Sequence, residues 1–360
     1  DSEQIAALST AQIAALSSSP INQLAVLSSD EIRALSSAQI GALGSAQIGG
    51  FSSDQFASLA TDDLSAINTR ALQAVATDRL AALGSDQIAA LTTAQVNALS
   101  SSQIQSWGSE DLNALSTTQF RALNSAQIAA LGTDQVRSLA TDDLAAIHTG
   151  AWRGFSAAQL GVLGTDQIIA ISTAQATALN SAQVAGLQAS QIAKIATDDL
   201  QAINSAALRA LNSEQLAALG SEQWQALSSS QLNALSSVQI QSLASEDLNA
   251  LSTAQFRALN SAQVAALTTD QLRALASEDL AAISTAALRG LSAGQLGALG
   301  TDQIIALSTA QVAVLNSAQV SGLQASQIAK MASDDLQALN SAALRALNSE
   351  QLGALGSDQL

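Results

Sequence analysis

Apolar residues recur along this chain in a fixed rhythm of three and then five positions. From Ser28 to Leu355 the sequence divides, without a gap, into 41 consecutive units of eight residues. The fifth and eighth positions are apolar in all 41, and the fourth is Gln in 27. The second position is almost always Ser or Thr. Ser36–Leu43 (SSAQIGAL) and Asn212–Leu219 (NSEQLAAL) are typical units. Two more octads open the chain, and a three-residue irregularity around Pro20 separates them from the rest.

Each octad reads as one very short helix. The first position, commonly Ser, Asn, Gly or Thr, suits an N-cap. The Gln three residues later can reach back to the cap's backbone N–H, which makes a capping box. The preceding apolar residue and the apolar fifth residue then flank the helix start as a hydrophobic staple. Acids gather at the third and fourth positions, where the helix dipole favours negative charge. Arg falls mostly at the sixth, as in Arg33, Arg121, Arg137, Arg209 and Arg273. Asp134 with Arg137 and Asp270 with Arg273 are therefore expected as i,i+3 pairs on an exposed face.

Two other architectures fit less well. In one continuous helix, eight residues overshoot two turns by about 80°, so the apolar stripe would spiral around the rod. A β-solenoid would favour β-branched residues, whereas these units are rich in Ala, Gln and Leu. The pattern predicts an all-α solenoid, or superhelix, of consecutive short helices, one per octad. The units must stack, because two buried side chains contribute ~3–6 kcal/mol against about 12 kcal/mol for ordering eight residues.

A longer period lies above the octad. Ala60-Thr-Asp-Asp-Leu returns at Ala196, and as Ala332-Ser-Asp-Asp-Leu, each time 136 residues on, or 17 octads. The domain organisation predicted is a single continuous array over 1–360. It has an irregularity at 17–27 and super-repeats at 60–195, 196–331 and, in part, 332–360. Because both ends fall inside the repeat, the sequence reads as a segment of a longer array. The double-acid octad followed directly by one lacking Gln at position four (the latter starting at Asn68, His148, Asn204, Ser284 and Asn340) recurs after 10 and then 7 octads. Coils of about 3.3–3.5 octads would place them all on one face.

Composition narrows the functional classes. Apolar residues make up 48% but aromatics only 2%, with one Pro, one Met, one His and no Cys. So narrow an alphabet is unusual for a globular enzyme. The formal net charge of −16 opposes binding to a phosphate backbone or an acidic membrane surface. No apolar run approaches the roughly 18–20 residues that span a bilayer. The chain is therefore expected to bind no nucleic acid and to insert in no membrane.

Few residues invite chemistry. His148 is the only histidine, and it occupies a cap position with no second His or Cys to complete a metal site. The acid pairs recur regularly: Asp62/Asp63, Glu110/Asp111, Asp142/Asp143, Asp198/Asp199, Glu246/Asp247, Glu278/Asp279 and Asp334/Asp335. Ca²⁺ takes six to eight oxygens, so Asp62, Asp63, Asp142, Asp143, Asp198 and Asp199 are candidate Ca²⁺ ligands if adjacent coils bring them together. Against this, neighbouring acids in one helix point apart, and favourable placement at a helix start explains them as well. Lys194 and Lys330, four residues before such pairs, are candidates to neutralise them. Trp107, Trp152, Trp224, Phe56, Phe120 and Phe256 fall at fifth or eighth positions and read as core fillers rather than stacking platforms. The hydroxyls of position two could form a ladder for ice or sugar, although capping already accounts for many of them.

The unit Ser9–Leu16 (STAQIAAL) resembles the octapeptide-repeat stretches of large bacterial surface or secreted proteins that carry adhesion or haem-utilisation labels. The resemblance spans essentially the whole chain. It implies an extracellular or cell-surface location and an extended structural or adhesive role, and it carries no catalytic or binding residues. The Leu-Ser-x-x-Gln-Ile opening is also similar to the helix start of TAL effector repeats. That DNA-binding reading is rejected, because the 34-residue period and the basic character are missing. The expected function is a spacer, stalk or self-assembling filament or adhesin subunit that associates end to end or side by side. The alternative is a binding module presenting an extended surface to a protein, glycan or Ca²⁺. No catalytic activity and no obligatory cofactor are expected.

Overall fold

The computed structural model of the protein describes residues 1–19 and 22–359. Its secondary structure is 43 α-helices of four to six residues and one 3₁₀ turn, with no strand among the described residues. The chain falls into two compact units, Asp1–Leu179 and Asn180–Leu360. Each is built from the same octad.

Within an octad the first residue is extended, as at Ser28 (φ −69°, ψ 161°), and its hydroxyl caps the helix that follows. The fifth residue's N–H closes one α-turn, as from Ile32 to Ser28 O at 3.0 Å. The eighth residue's N–H returns to the fifth carbonyl, as from Leu35 to Ile32 O at 3.1 Å. The eighth residue then leaves the helix in an extended conformation, as at Leu123 (φ −62°, ψ 142°), and turns the chain into the next cap. Among the described residues the backbone-to-backbone bonds outside the helices are local, the longest running from Gln23 N–H to Ser17 O, six residues apart.

The predicted core positions are the core. Fifth residues such as Leu64, Ile128 and Leu272 and eighth residues such as Leu131 and Leu219 are buried, and so are Trp107, Trp152, Trp224, Phe56, Phe120 and Phe256. Two fully apolar rows per octad make an interior that no single octad could close.

Each helix packs beside the one three octads further on. Ser101–Gln105 lies against Ser125–Ala130, and Ser237–Gln241 against Ser261–Ala266. The pairs run in parallel with a one-residue offset. Asn97 Nδ2 donates to Ala122 O (2.6 Å) and Ser101 Oγ to Ala126 O (3.0 Å), each 25 residues on. Fourth-position side chains reach instead to the octad four back, over 28 to 31 residues. A coil therefore holds more than three octads and fewer than four, the interval in which the expected 3.3–3.5 lies.

The irregularity at 17–27 is an eleven-residue unit that keeps the register. Its three extra residues fall between Ser17 and Gln23, and the turn itself is capped by Asn22, whose side chain accepts the Leu24 N–H. Ser17 N–H donates to Gln23 Oε1 at 2.7 Å, a capping contact stretched over six residues. Leu24 is buried in the fifth-position slot, and Gln23–Val26 forms the 3₁₀ turn. Pro20 itself lies outside the described residues.

Candidate functional site

The most elaborate polar feature of the molecule is the fourth-position Gln, and it is buried. Gln127 and Gln175 are each 1% exposed. Gln127 Oε1 accepts the Asn124 backbone N–H at 2.9 Å, which is the expected half of the capping box. Its Nε2 donates to Val96 O and Leu99 O, both at 2.8 Å, in the octad four back. Those carbonyls belong to the end of a helix, and Val96 O also accepts the Leu99 N–H at 3.3 Å. One amide thus caps the start of its own helix and the end of another a coil away. Gln39 makes the same bridge to Leu8 O at 2.6 Å, Gln55 to Leu27 O at 2.7 Å, Gln255 to Leu227 O at 2.8 Å and Gln359 to Met331 O at 2.6 Å.

Where Gln is absent, other donors take its place. In the octad Asn68–Val75 the fourth residue is Ala71, and the cap residue does both jobs. Asn68 Oδ1 accepts Ala71 N–H at 2.8 Å, and Asn68 Nδ2 donates to Leu43 O at 3.0 Å. Asn340 repeats this with Ala343 N–H (3.0 Å) and Leu315 O (2.8 Å). Arg79 stands at position four of its octad and donates to Gly49 O. His148 is the cap of Thr149–Trp152, and its Nδ1 accepts Ala151 N–H at 3.3 Å. The single histidine is thus a cap, as its position predicts.

The double-acid octads are the exceptions. Asp at position four is shorter than Gln and, as a carboxylate, only accepts hydrogen bonds. Ala60, Ala140, Ala196, Ala244, Ala276 and Ala332 precede these helices with no side-chain cap bond. Asp63 Oδ1 accepts from Ser37 Oγ, and Asp335 Oδ1 from Thr309 Oγ1, both at 2.8 Å, three octads back. Within each pair the two acids diverge. Asp62, Asp142 and Asp198 face solvent, whereas Asp63, Asp143 and Asp199 are buried. Among the described residues no three His, Cys, Asp or Glu side chains gather where they could hold a metal ion.

Burial pushes the carboxyls of Asp143, Asp247 and Asp279 above the ordinary range, and the neighbouring Asp142, Glu246 and Glu278 add to it. At Asp247 a backbone hydrogen bond in its own octad opposes the rise, as does the indole of Trp224. That indole N–H is buried and has no close hydrogen-bond partner, so its hold on the carboxyl is weak. Near the start of the chain the reverse occurs. Glu31 is held below the usual range, first by the Ser28 backbone N–H and then by its hydroxyl.

The remaining charged side chains lie on the surface. Arg137 pairs with Asp134 at 3.8 Å and Arg273 with Asp270 at 3.7 Å, as the spacing predicts. Such exposed pairs contribute little to stability. Lys194 and Lys330 are not among the ion pairs of the described residues. The surface grooves are shallow, such as the one lined by Arg273, Ser277, Gly300, Thr301 and Asp302. No helix among the described residues is long and apolar enough to cross a membrane.

The bridging role of Gln is the part that reading the sequence missed. A signal for it exists. A capping box accepts Glu as readily as Gln, and the helix dipole favours the acid. Yet position four holds 27 Gln and one Glu. A slot that takes Gln so much more often than its isosteric acid Glu points to a donor.

Comparison with known families agrees with this periodicity. The model of the ALTTAQ repeat matches residues 24–61, 56–93, 108–141, 136–173, 192–229, 240–277, 272–309 and 328–360, well over half of the chain. The matches beginning at 56, 192 and 328 are spaced by 136 residues, as are those beginning at 136 and 272. No curated protein matches the chain.

Proposed function

The chain belongs to the ALTTAQ repeat family, and from that premise we propose that it is a structural array of a bacterial surface. In this reading it works outside the cell as a spacer, a stalk or a subunit of a self-assembling filament or adhesin. The observation that carries the proposal is the recurrence of one coil-to-coil bridge, from Gln39 near the start to Gln359 near the end. A protein that repeats its interior contact so uniformly invests its sequence in length and cohesion, not in a unique pocket. The two faces of a coil are also complementary to each other. One offers Gln amides; the other offers the helix-end carbonyls that such amides reach. A terminal coil left uncovered can therefore stack on the opposite face of another copy. A contact of that head-to-tail kind does not close on itself and builds filaments. The net charge of −16 keeps the lateral surfaces apart in solution.

A second reading is a binding module that presents its surface to a protein, glycan or Ca²⁺. The grooves between neighbouring coils, with mixed charge at Arg273 and Asp302, favour it.

Electron microscopy of the purified chain, with and without Ca²⁺, distinguishes the two. Filaments in both conditions support the structural array. Discrete particles that gather only on addition of Ca²⁺, or that capture a glycan or protein from a panel, favour the binding module. Turnover of any substrate by the pure protein overturns both. Protease accessibility of the chain on intact cells tests the surface location, and full protection there refutes it.

A further inference from the structure

Two of the double-acid octads form a pair related by the 136-residue period. Thr141-Asp-Asp-Leu-Ala-Ala-Ile and Ser277-Glu-Asp-Leu-Ala-Ala-Ile occupy equivalent places, 136 residues apart, one in each compact unit. Their fourth-position residues, Asp143 and Asp279, stand where Gln elsewhere donates to the octad four back. By the 31- and 28-residue spacing of the Gln bridges, the carbonyls that correspond to that slot are those of Leu112 and Leu115 for Asp143, and of Leu248 and Leu251 for Asp279. Unlike Asp63 and Asp335, neither Asp143 nor Asp279 receives a hydroxyl hydrogen bond among the described residues. The helices they begin have no side-chain cap. Asp143 is 7% exposed.

The charged surroundings match as well. Thr141–Ala146 packs against Thr117–Ala122, which carries Arg121, and Thr165–Ile169, which carries Asp166. Ser277–Ala282 packs against Thr253–Ala258, with Arg257, and Thr301–Ile305, with Asp302. The same helices add Asp142 and Glu278, and the octads four back add Glu110 with Asp111 and Glu246 with Asp247. Each slot thus holds one Arg against four other acids.

We propose that these two octads are proton-operated joints, loose at neutral pH and closed by acid. As a carboxylate, the side chain meets carbonyl oxygens with no donor to offer, and the seam lacks the bridge that Gln supplies elsewhere. Binding one proton removes the charge and creates an O–H that can donate across the seam, restoring the bond that Gln makes. Both carboxyls are raised by burial. The folded state therefore holds the proton more tightly than the unfolded chain, whose value is near 3.8. The joint's contribution is complete below that value and is lost as pH rises through the elevated folded value. These segments of the chain are accordingly firmest on the acid side and soften toward neutrality.

Hydrogen exchange of the full chain, corrected for the intrinsic pH dependence of exchange, tests this. As pH falls from 7.5 to below 4, protection in 108–115 with 140–147, and in 244–251 with 276–283, is expected to rise. The D143N/D279N variant, neutral and able to donate, should show the raised protection at pH 7.5 and little further change. D143N alone should move only the first pair of segments. The exposed-charge control D54N/E214Q, which removes the same two charges, should leave the wild-type response intact. A flat or falling wild-type profile overturns the proposal. So does a control that reproduces the D143N/D279N behaviour, because general charge repulsion would then suffice.

Discussion

Replacing Gln127 by Glu separates the two duties of the fourth-position residue. The shape and the capping acceptor survive, since a carboxylate oxygen can still receive Asn124 N–H, now 2.9 Å from Oε1. The donor is lost, and with it the bonds to Val96 O and Leu99 O at 2.8 Å. The site is 1% exposed, so water cannot take the donor's place. Leaving a buried polar group unsatisfied costs about 1–3 kcal/mol, and an uncompensated buried charge brings the total to about 3–5 kcal/mol. In a repeat array the loss should stay near the lesion, because each coil touches only its neighbours. A single global unfolding temperature would dilute it. Native-state hydrogen exchange resolves it: segments 92–99 and 124–131 of Q127E should open at least a hundredfold more readily at neutral pH, while octads of the second compact unit are unchanged. Q127M, which loses the bonds without gaining a charge, should fall between. The defect in Q127E should shrink on acidification, because a protonated Glu regains a donor and the folded state then binds the proton more tightly than the unfolded one. If Q127E is no weaker than Q127M at neutral pH, or its defect is independent of pH, the carbonyl bridge is not what holds the seam.

Two further substitutions probe the same geometry. Asn68→Ala should cost about 1–3 kcal/mol by removing both the Ala71 cap and the Leu43 bridge. Adding the Gln octad's own solution, as N68S/A71Q, should recover most of it in denaturant unfolding; no recovery would mean that the two arrangements are not interchangeable. Gly154→Ala places a methyl group into the Ser125 carbonyl and should destabilise by about 1–3 kcal/mol. Gly294→Ala meets nothing within 4 Å inside the helix Ala293–Gly297 and should stabilise by up to about 1 kcal/mol. Similar effects of these two changes on the urea midpoint would refute the close approach read at Gly154.

Local structure was legible in the sequence because it is decided locally. The cap at Ser36, the Gln39 acceptor and the buried Ile40 and Leu43 follow from residues within one octad. The sixth-position Arg pairs follow from helical spacing alone. What connects octads was harder to read. The number of octads per coil depends on how helices pack, and only the recurrence of unusual octads hinted at a value between three and four. The second duty of Gln was missed because capping already explained the residue. The division of pairs such as Asp62/Asp63 and Asp142/Asp143 into one exposed and one buried carboxyl follows from position, since position four faces the seam and position three the solvent. The irregularity at 17–27 looked like a break, yet Gln23 keeps its contact with Ser17 across the extra residues. An insertion between the first and fourth positions leaves Leu24 in its core slot, whereas one between the fifth and eighth positions would move a core residue out of the interior.

The confinement of backbone hydrogen bonds to single octads has a mechanical consequence. In a β-solenoid, pulling the coils apart breaks ladders of backbone bonds; here it breaks amide-to-carbonyl bridges and apolar contacts, about one bridge per octad. Under tension such an array should yield coil by coil at modest force. Each step would release on the order of 80–100 Å of chain from a coil of 25 to 28 residues. Since every coil closes by the same local contacts, it should also recoil when the load is removed. A chain of this kind behaves less like a strut than like a spring with many equal turns.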